Sequence, residues 1–117
     1  MKFRASHRFA DQSARKIRPF VALIRNRPVD EALELLQYLH NRSARLLEAV
    51  VKSAVGNAED RGAIDIEDLV VSEACVDGGP IMKRIMPRAR GTAYPIKRRY
   101  SHIRVELWDG EEEQAQK

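Results

Sequence analysis

The sequence predicts an α+β domain from which a long β-hairpin protrudes, and three observations predict it. Three stretches carry apolar residues at helical spacing, and three others alternate or are β-branched in the manner of strands. The segment joining the last two strands is too charged to be buried. It contains MKRIMPRARG, Met82 to Gly91, with four cations, no anion and a proline. A core excludes unpaired arginine because desolvating a charge is costly, and an ordinary surface mixes both signs of charge.

At 117 residues the chain is one domain, able to bury roughly two-thirds of the surface its unfolded form exposes. Its 32% charged residues are unevenly placed. Residues 1–27 hold eight Lys/Arg against one acid, Asp11, and residues 78–105 hold eight against none. Residues 28–77 reverse this with eleven acids against four cations, and residues 106–117 hold five against one. The net +4 therefore hides two basic segments around an acidic middle. The single Cys75 excludes an internal disulfide and points to a reducing interior. No apolar run approaches the ~18 residues of a membrane span, and MKFRASHRFA lacks the apolar stretch of a secretory signal, so a cytosolic location without membrane insertion is expected.

Residues 2 to 10 place Phe3, Ala5, His7 and Phe9 on one face and Lys2, Arg4, Ser6 and Arg8 on the other, which predicts a strand with a basic outer side. Ser13 can cap a helix whose Ala14, Ile17, Phe20, Val21 and Ile24 recur at helical spacing while Arg15, Lys16, Arg18 and Arg25 face elsewhere. Pro19 inside it predicts a kink or a late start. VDEALELLQYLH gives a second, acidic helix with Ala32, Leu33, Leu36 and Leu39 inward and Asp30 as cap or first-turn acid. Asn41 or Ser43 opens a third helix reaching about Asp60, with Ala44, Leu47, Val50, Val51, Ala54, Val55 and Ala58 inward. A loop around Gly62 leads past a polar turn at Asp65, Glu67 and Asp68 to the strand LVVSEACV, and Ile103, Val105 and Leu107 alternate in a last strand. If these two strands pair antiparallel and continue outward, residues 78–102 form a hairpin. About 12 residues per side at roughly 3.3 Å each carry its tip ~40 Å from the sheet. Pro87 and Gly91 place the turn between Met86 and Thr92. Such a ribbon is marginally stable by itself and needs something to lie against.

The charges indicate a polyanion. Lys83, Arg84, Arg88, Arg90, Lys97, Arg98 and Arg99 are the residues to meet phosphates, with Met82, Ile85, Met86, Tyr94 and Tyr100 offering apolar or stacking contacts to bases. The plainer alternative is a solvated basic loop. The second basic cluster at the amino end favours nucleic acid, because two patches on one small core suit a surface wrapped by a polyanion. Two other binding readings stay open: a DNA-bending β-arm protein, which needs a dimer, and a basic-arm module docking on an acidic protein. Enzymatic and metal constellations are absent from the pattern. His7, His40 and His102 lie far apart without metal-ligand spacing, Cys75 in a predicted strand reads as a buried thiol, and GNAEDRG lacks the ending of a phosphate-binding loop.

The stretch VDGGPIMKRIMPRARGTAYPIKRRYSHIRVEL, together with SARKIRPFVALIRNRPVDEALELL and KSAVGNAED, closely resembles the bacterial large ribosomal subunit protein twenty-two family over about residues 3 to 107. The resemblance implies three helices packed on a small three-stranded antiparallel sheet with an extended hairpin. The residues themselves read as one domain over 1–108 with an acidic, disordered tail over 109–117, and that tail extends past the part the resemblance covers. The resemblance also implies a structural constituent of the large ribosomal subunit in the cytoplasm, not an enzyme and without a cofactor, that binds 23S rRNA during early assembly and meets neighbouring ribosomal proteins. The globular part would sit near the mouth of the peptide exit tunnel. The hairpin tip, Met82, Lys83, Arg84, Ile85, Met86, Pro87, Arg88, Ala89, Arg90 and Gly91, would line the tunnel wall, facing rRNA on one side and the nascent polypeptide on the other. RNA contacts are expected from Arg4, His7 and Arg8, from Arg15, Lys16 and Arg18 of the basic first helix, from the seven arm cations above, and from His102, which follows Ser101 in the closing motif. Tyr100 stands where threonine is expected and Pro95 where a basic residue is usual, and Pro95 predicts a distorted or unpaired spot in the ladder.

Overall fold

The computed structural model describes residues 2–62, 69–87 and 89–109. The predicted polar turn at Asp65, Glu67 and Asp68, the tip cation Arg88, the acidic tail from residue 110 and the Tyr94 side chain lie outside what it describes. β1 (Lys2–Ala10) is followed by α1 (Ala14–Ile24), α2 (Val29–Tyr38) and α3 (Arg42–Asp60). β2 (Val70–Pro87) and β3 (Ala93–Trp108) then run out and back around a 3-10 turn at Ala89–Gly91. The strands form one antiparallel sheet in the order β1-β3-β2, so the expected three helices and three-stranded sheet are present.

Alternation along β3 sets the layers. Ser101, Ile103, Val105 and Leu107 are buried, and Phe3, Ala5, Val71, Ala74 and Val76, register partners of the last three, join them on that face. The helices cover it with Ile17, Val21 and Ile24 of α1, Ala32 and Leu36 of α2, and Ala44, Leu47, Val51, Ala54 and Ala58 of α3. The alanines of α3 permit its close approach to β1 and β3. Burial of each large aliphatic side chain contributes about 1.5–3 kcal/mol. Arg45 joins α2 to α3 by donating to the carbonyls of Gln37 and Leu39 while pairing with Glu48, so the carbonyl end of α2 has a cationic partner. α1 runs unbroken through Pro19 and starts at Ala14, so the late start is not seen. Both Pro19 and Arg15, whose carbonyl loses its donor, are exposed to water.

Two bulges shape the root of the arm. In β1 the register shifts between His7 and Ala10, which turns the strand's inward set over by one residue, so Ala10 is buried and Phe9, expected on the core face, is exposed; His7, before the shift and opposite buried Ile103, keeps the core-face side but is exposed too. In β2 the register shifts between Gly78 and Ile81. A Cβ on Gly79 would lie 2.9 Å from the carbonyl oxygen of Tyr100, so only glycine fits this close strand approach. Pairing then continues unbroken from Ile81↔Arg99 to Pro87↔Ala93, and no shift occurs at Pro95, opposite Ile85. β1 ends at the Ala10↔Ser101 pair, so among the described residues the outer half of β3 has one edge without a partner strand, and there a proline nitrogen needs no acceptor. Cys75, expected buried, is half-exposed on the sheet face away from the helices, with its Sγ 3.2 Å from Glu73 Oε1 and 3.6 Å from the Arg104 guanidinium.

Candidate nucleic-acid interface

The core face of β3 does not stop at Ser101 but continues out along the arm as Arg99 and Lys97. Their partners are Ile81 and Lys83. Past the body no helix among the described residues covers this face, and every described side chain of the arm from Ile81 to Arg99 is exposed. Lys83 and Lys97 are directly opposed, which puts like charges about 5 Å apart at their Cβ atoms. Neither has an ion-pair partner among the described residues. The opposite face pairs Met82 with Arg98 and Arg84 with Ile96. Ile85, 75% exposed, and Met82, Met86 and Ile96 interleave the cations with apolar contact area. At the tip Arg90 and Gly91 adopt left-handed backbone with φ of 65° and 71°, and the Thr92 hydroxyl donates to the Ala89 carbonyl. The turn therefore presents Arg90 to solvent.

Where arm meets body, α1 contributes exposed Arg15, Lys16 and Arg18. They line two open clefts against the arm. One, of about 660 Å³, lies between Arg15 and Arg18 on one side and Gly78, Gly79 and Arg99 on the other. The second, of about 530 Å³, gathers Lys16, Arg42, Lys97, Arg98 and Arg99 around Asp11. The two basic segments of the sequence thus converge on one concave elbow. Asp11 accepts from Arg42 at 3.0 Å and from Arg98 at 3.1 Å, and these hydrogen bonds, that to Arg98 foremost, hold its carboxyl below the usual aspartate range. The same contact with Asp11 holds the Arg98 guanidinium more firmly charged.

Other expected residues are placed differently. The Arg4 side chain is exposed, yet its Nε lies 2.8 Å from buried Glu106, so it neutralises a carboxylate of the sheet. Burial pushes the Glu106 carboxyl up, but Arg4, Lys2 and the Ser72 hydroxyl outweigh it and hold it below the ordinary value. His7 and Arg8 are exposed at the rim of β1. His102 is half-buried on the outer face, its Nδ1 accepting from the Phe9 amide at 3.0 Å. Three residues of this region escape sequence reasoning. Asp11 carried a signal as the single acid of its basic segment; Arg42, within an acidic stretch, carried none; and Phe9 had been read as core. Among the described residues no three His, Cys, Asp or Glu side chains gather as metal ligands, and no helix is long and apolar enough to cross a membrane.

Comparison with known proteins bears on this elbow. A family model described as ribosomal protein L22p/L17e matches residues 5–108. The large ribosomal subunit protein uL22 of Rhodopirellula baltica is 51% identical over 111 residues, covering 91% of this chain and 93% of that protein. The protein of the same name from Caldicellulosiruptor saccharolyticus is 44% identical over 110 residues, covering 94% and 90%.

Proposed function

The chain belongs to the ribosomal protein L22p/L17e family, and from that premise and the elbow we propose that it binds 23S rRNA between its body and its arm and supports early assembly of the large subunit. Its body lies near the mouth of the peptide exit tunnel beside neighbouring ribosomal proteins, and its arm lines the tunnel wall, meeting the nascent polypeptide at the tip. It acts as a structural component and not as an enzyme.

The observation that carries this reading is the opposed Lys83 and Lys97 with Arg99 on the exposed inner face of the arm, Lys97 and Arg99 lining the clefts across from the cations of α1. Isolated, such a ribbon carries a repulsion that no ion pair among the described residues relieves. Phosphates of RNA segments distant in sequence repel one another too. A thin cationic arm between them offsets both repulsions and releases counterions. The interleaved isoleucines and methionines add contact area to bases and sugars.

Photo-crosslinking the protein within purified ribosomes and reading the RNA positions tests the proposal. Adducts to 23S rRNA from both arm and α1 are expected, with nascent chain captured from the tip. Absence from purified large subunits, or a preference for duplex DNA over structured rRNA at fixed salt, would overturn it.

A further inference from the structure

Phe9 is placed where the economy of the fold gives it no reason to be. It sits in the β1 bulge with φ 60°, a left-handed conformation that strains a bulky side chain. The residue is 58% exposed, so little hydrophobic burial offsets that strain. Glycine or asparagine would fill the same position with less cost. The ring is nevertheless held firmly: the Phe9 amide donates to His102 Nδ1 at 3.0 Å, and the two rings meet edge to face with centroids 5.0 Å apart. Arg8, its neighbour in the bulge, is exposed and has no partner among the described residues. By strand alternation the site lies on the sheet face away from the helices, at the root of the arm, where half-buried Tyr100 and then Arg98, whose guanidinium reaches round to Asp11 in the elbow, follow along β3. Asp77, the register partner of His102, is also exposed on this face. A carboxylate there disfavours a bare phosphate against the rings and offers an acceptor to the amino group of a base.

We propose that Phe9, braced by His102, is a stacking platform for one unpaired nucleobase of RNA, with Arg8 taking the adjoining phosphate. The platform rests on the RNA-binding reading above, but it is a second contact of a different kind: the elbow holds phosphates by charge, and Phe9 holds the π-face of a base splayed from its helix. The inner and outer faces of the arm's root would then grip RNA from two sides.

The full-length protein is titrated at fixed salt with a single-stranded oligoadenylate of ~10 nucleotides and with a duplex RNA of equal length. Phe9→Leu is expected to weaken oligoadenylate binding about five- to a hundredfold, leaving duplex affinity and the salt dependence of both unchanged. Phe9→Tyr, which keeps a ring, should bind as the parent does, and helix amide exchange should match in all three proteins. The platform is overturned if Phe9→Leu binds oligoadenylate like the parent, if Phe9→Tyr falls with it, or if the parent binds the duplex alone. A parent that binds neither RNA overturns the RNA-binding reading itself.

Discussion

Gly79 is the residue on which the geometry of the arm's root turns. It lies where β2 gains its extra residue opposite Tyr100, and the atoms a Cβ would meet belong to the Tyr100 backbone, which cannot swing aside as a side chain could. Gly79→Ala is therefore expected to cost about 1–3 kcal/mol, a lowering of the melting temperature by roughly 4–8 °C per kcal/mol. Gly78→Ala, with no atom within 4 Å of its new methyl, should change stability by less than about 0.5 kcal/mol. Equal effects from the two would remove the close approach as the cause. Glu106 supplies a prediction in pH. Its carboxyl is held below the ordinary glutamate value of 4.5, so it binds protons less readily folded than unfolded, and its contribution to stability is present above that value and fades as pH falls through the lowered one. Arg4→Ala removes a major cause of the lowering while burial remains. Acid unfolding followed by circular dichroism should then begin at higher pH than in the parent. An unchanged midpoint would show that Arg4 does not carry the compensation.

At the scale of elements, the arm is a strand pair whose charges conflict with its own pairing. Lys83→Glu turns the opposed pair with Lys97 into an attractive one, worth about 0.2–1 kcal/mol across an antiparallel ladder. The free protein should accordingly show slower amide exchange around residues 83–97, and at the same time bind structured rRNA more weakly, with a shallower salt dependence by ~0.7–0.9 for the lost phosphate contact. Parallel gains in both would mean that charge at residue 83 serves the fold and not the ligand. This conflict explains which elements were legible beforehand. Each helix buries a stripe of its own residues, so Ile17, Val21 and Ile24 or Leu47, Val51 and Ala54 announce themselves by spacing alone. The exposure of the hairpin was legible from charge, since no acid lies among its seven cations. The bulges were not, because an extra residue is defined against the facing strand, and β3 lies some ninety residues from β1. One such insertion moved Phe9 off the core face. Pro95 misled for a related reason: whether a proline nitrogen interrupts a ladder depends on whether another strand lies beside it, and β1 ends at Ala10.

The whole molecule departs from the proportions of a compact chain: its radius of gyration is 17.7 Å and its long axis 65 Å, against about 13 Å for a globular chain of this length. The excess belongs to the arm, since the buried apolar core ends at Val76 on β2 and resumes at Ile103 on β3. Body and arm thus divide the work, the first closing its core without the second and the second presenting charge that the first cannot shield. The elbow itself was only half legible: two basic segments were visible in the chain, but their convergence with Arg42 around Asp11 follows from the packing of α3 against β1. The division of work can be tested by excising residues 82–98 and closing Ile81 to its register partner Arg99 with an Asn-Gly turn, whose backbone twist suits a two-residue hairpin. The shortened protein should still unfold cooperatively, with its melting temperature lowered by no more than a few degrees, because the described residues removed are exposed and changes at such sites rarely exceed ~0.5 kcal/mol each. Its salt dependence of rRNA binding should fall by ~0.7–0.9 for each removed cation that meets a phosphate. Residual binding should then depend on Arg15, Lys16 and Arg18, and fall further when these are replaced by glutamine. A body that fails to fold would show that the arm's root belongs to the core, and unchanged binding and salt slope would place the whole interface on α1 and leave the arm's charge without a partner.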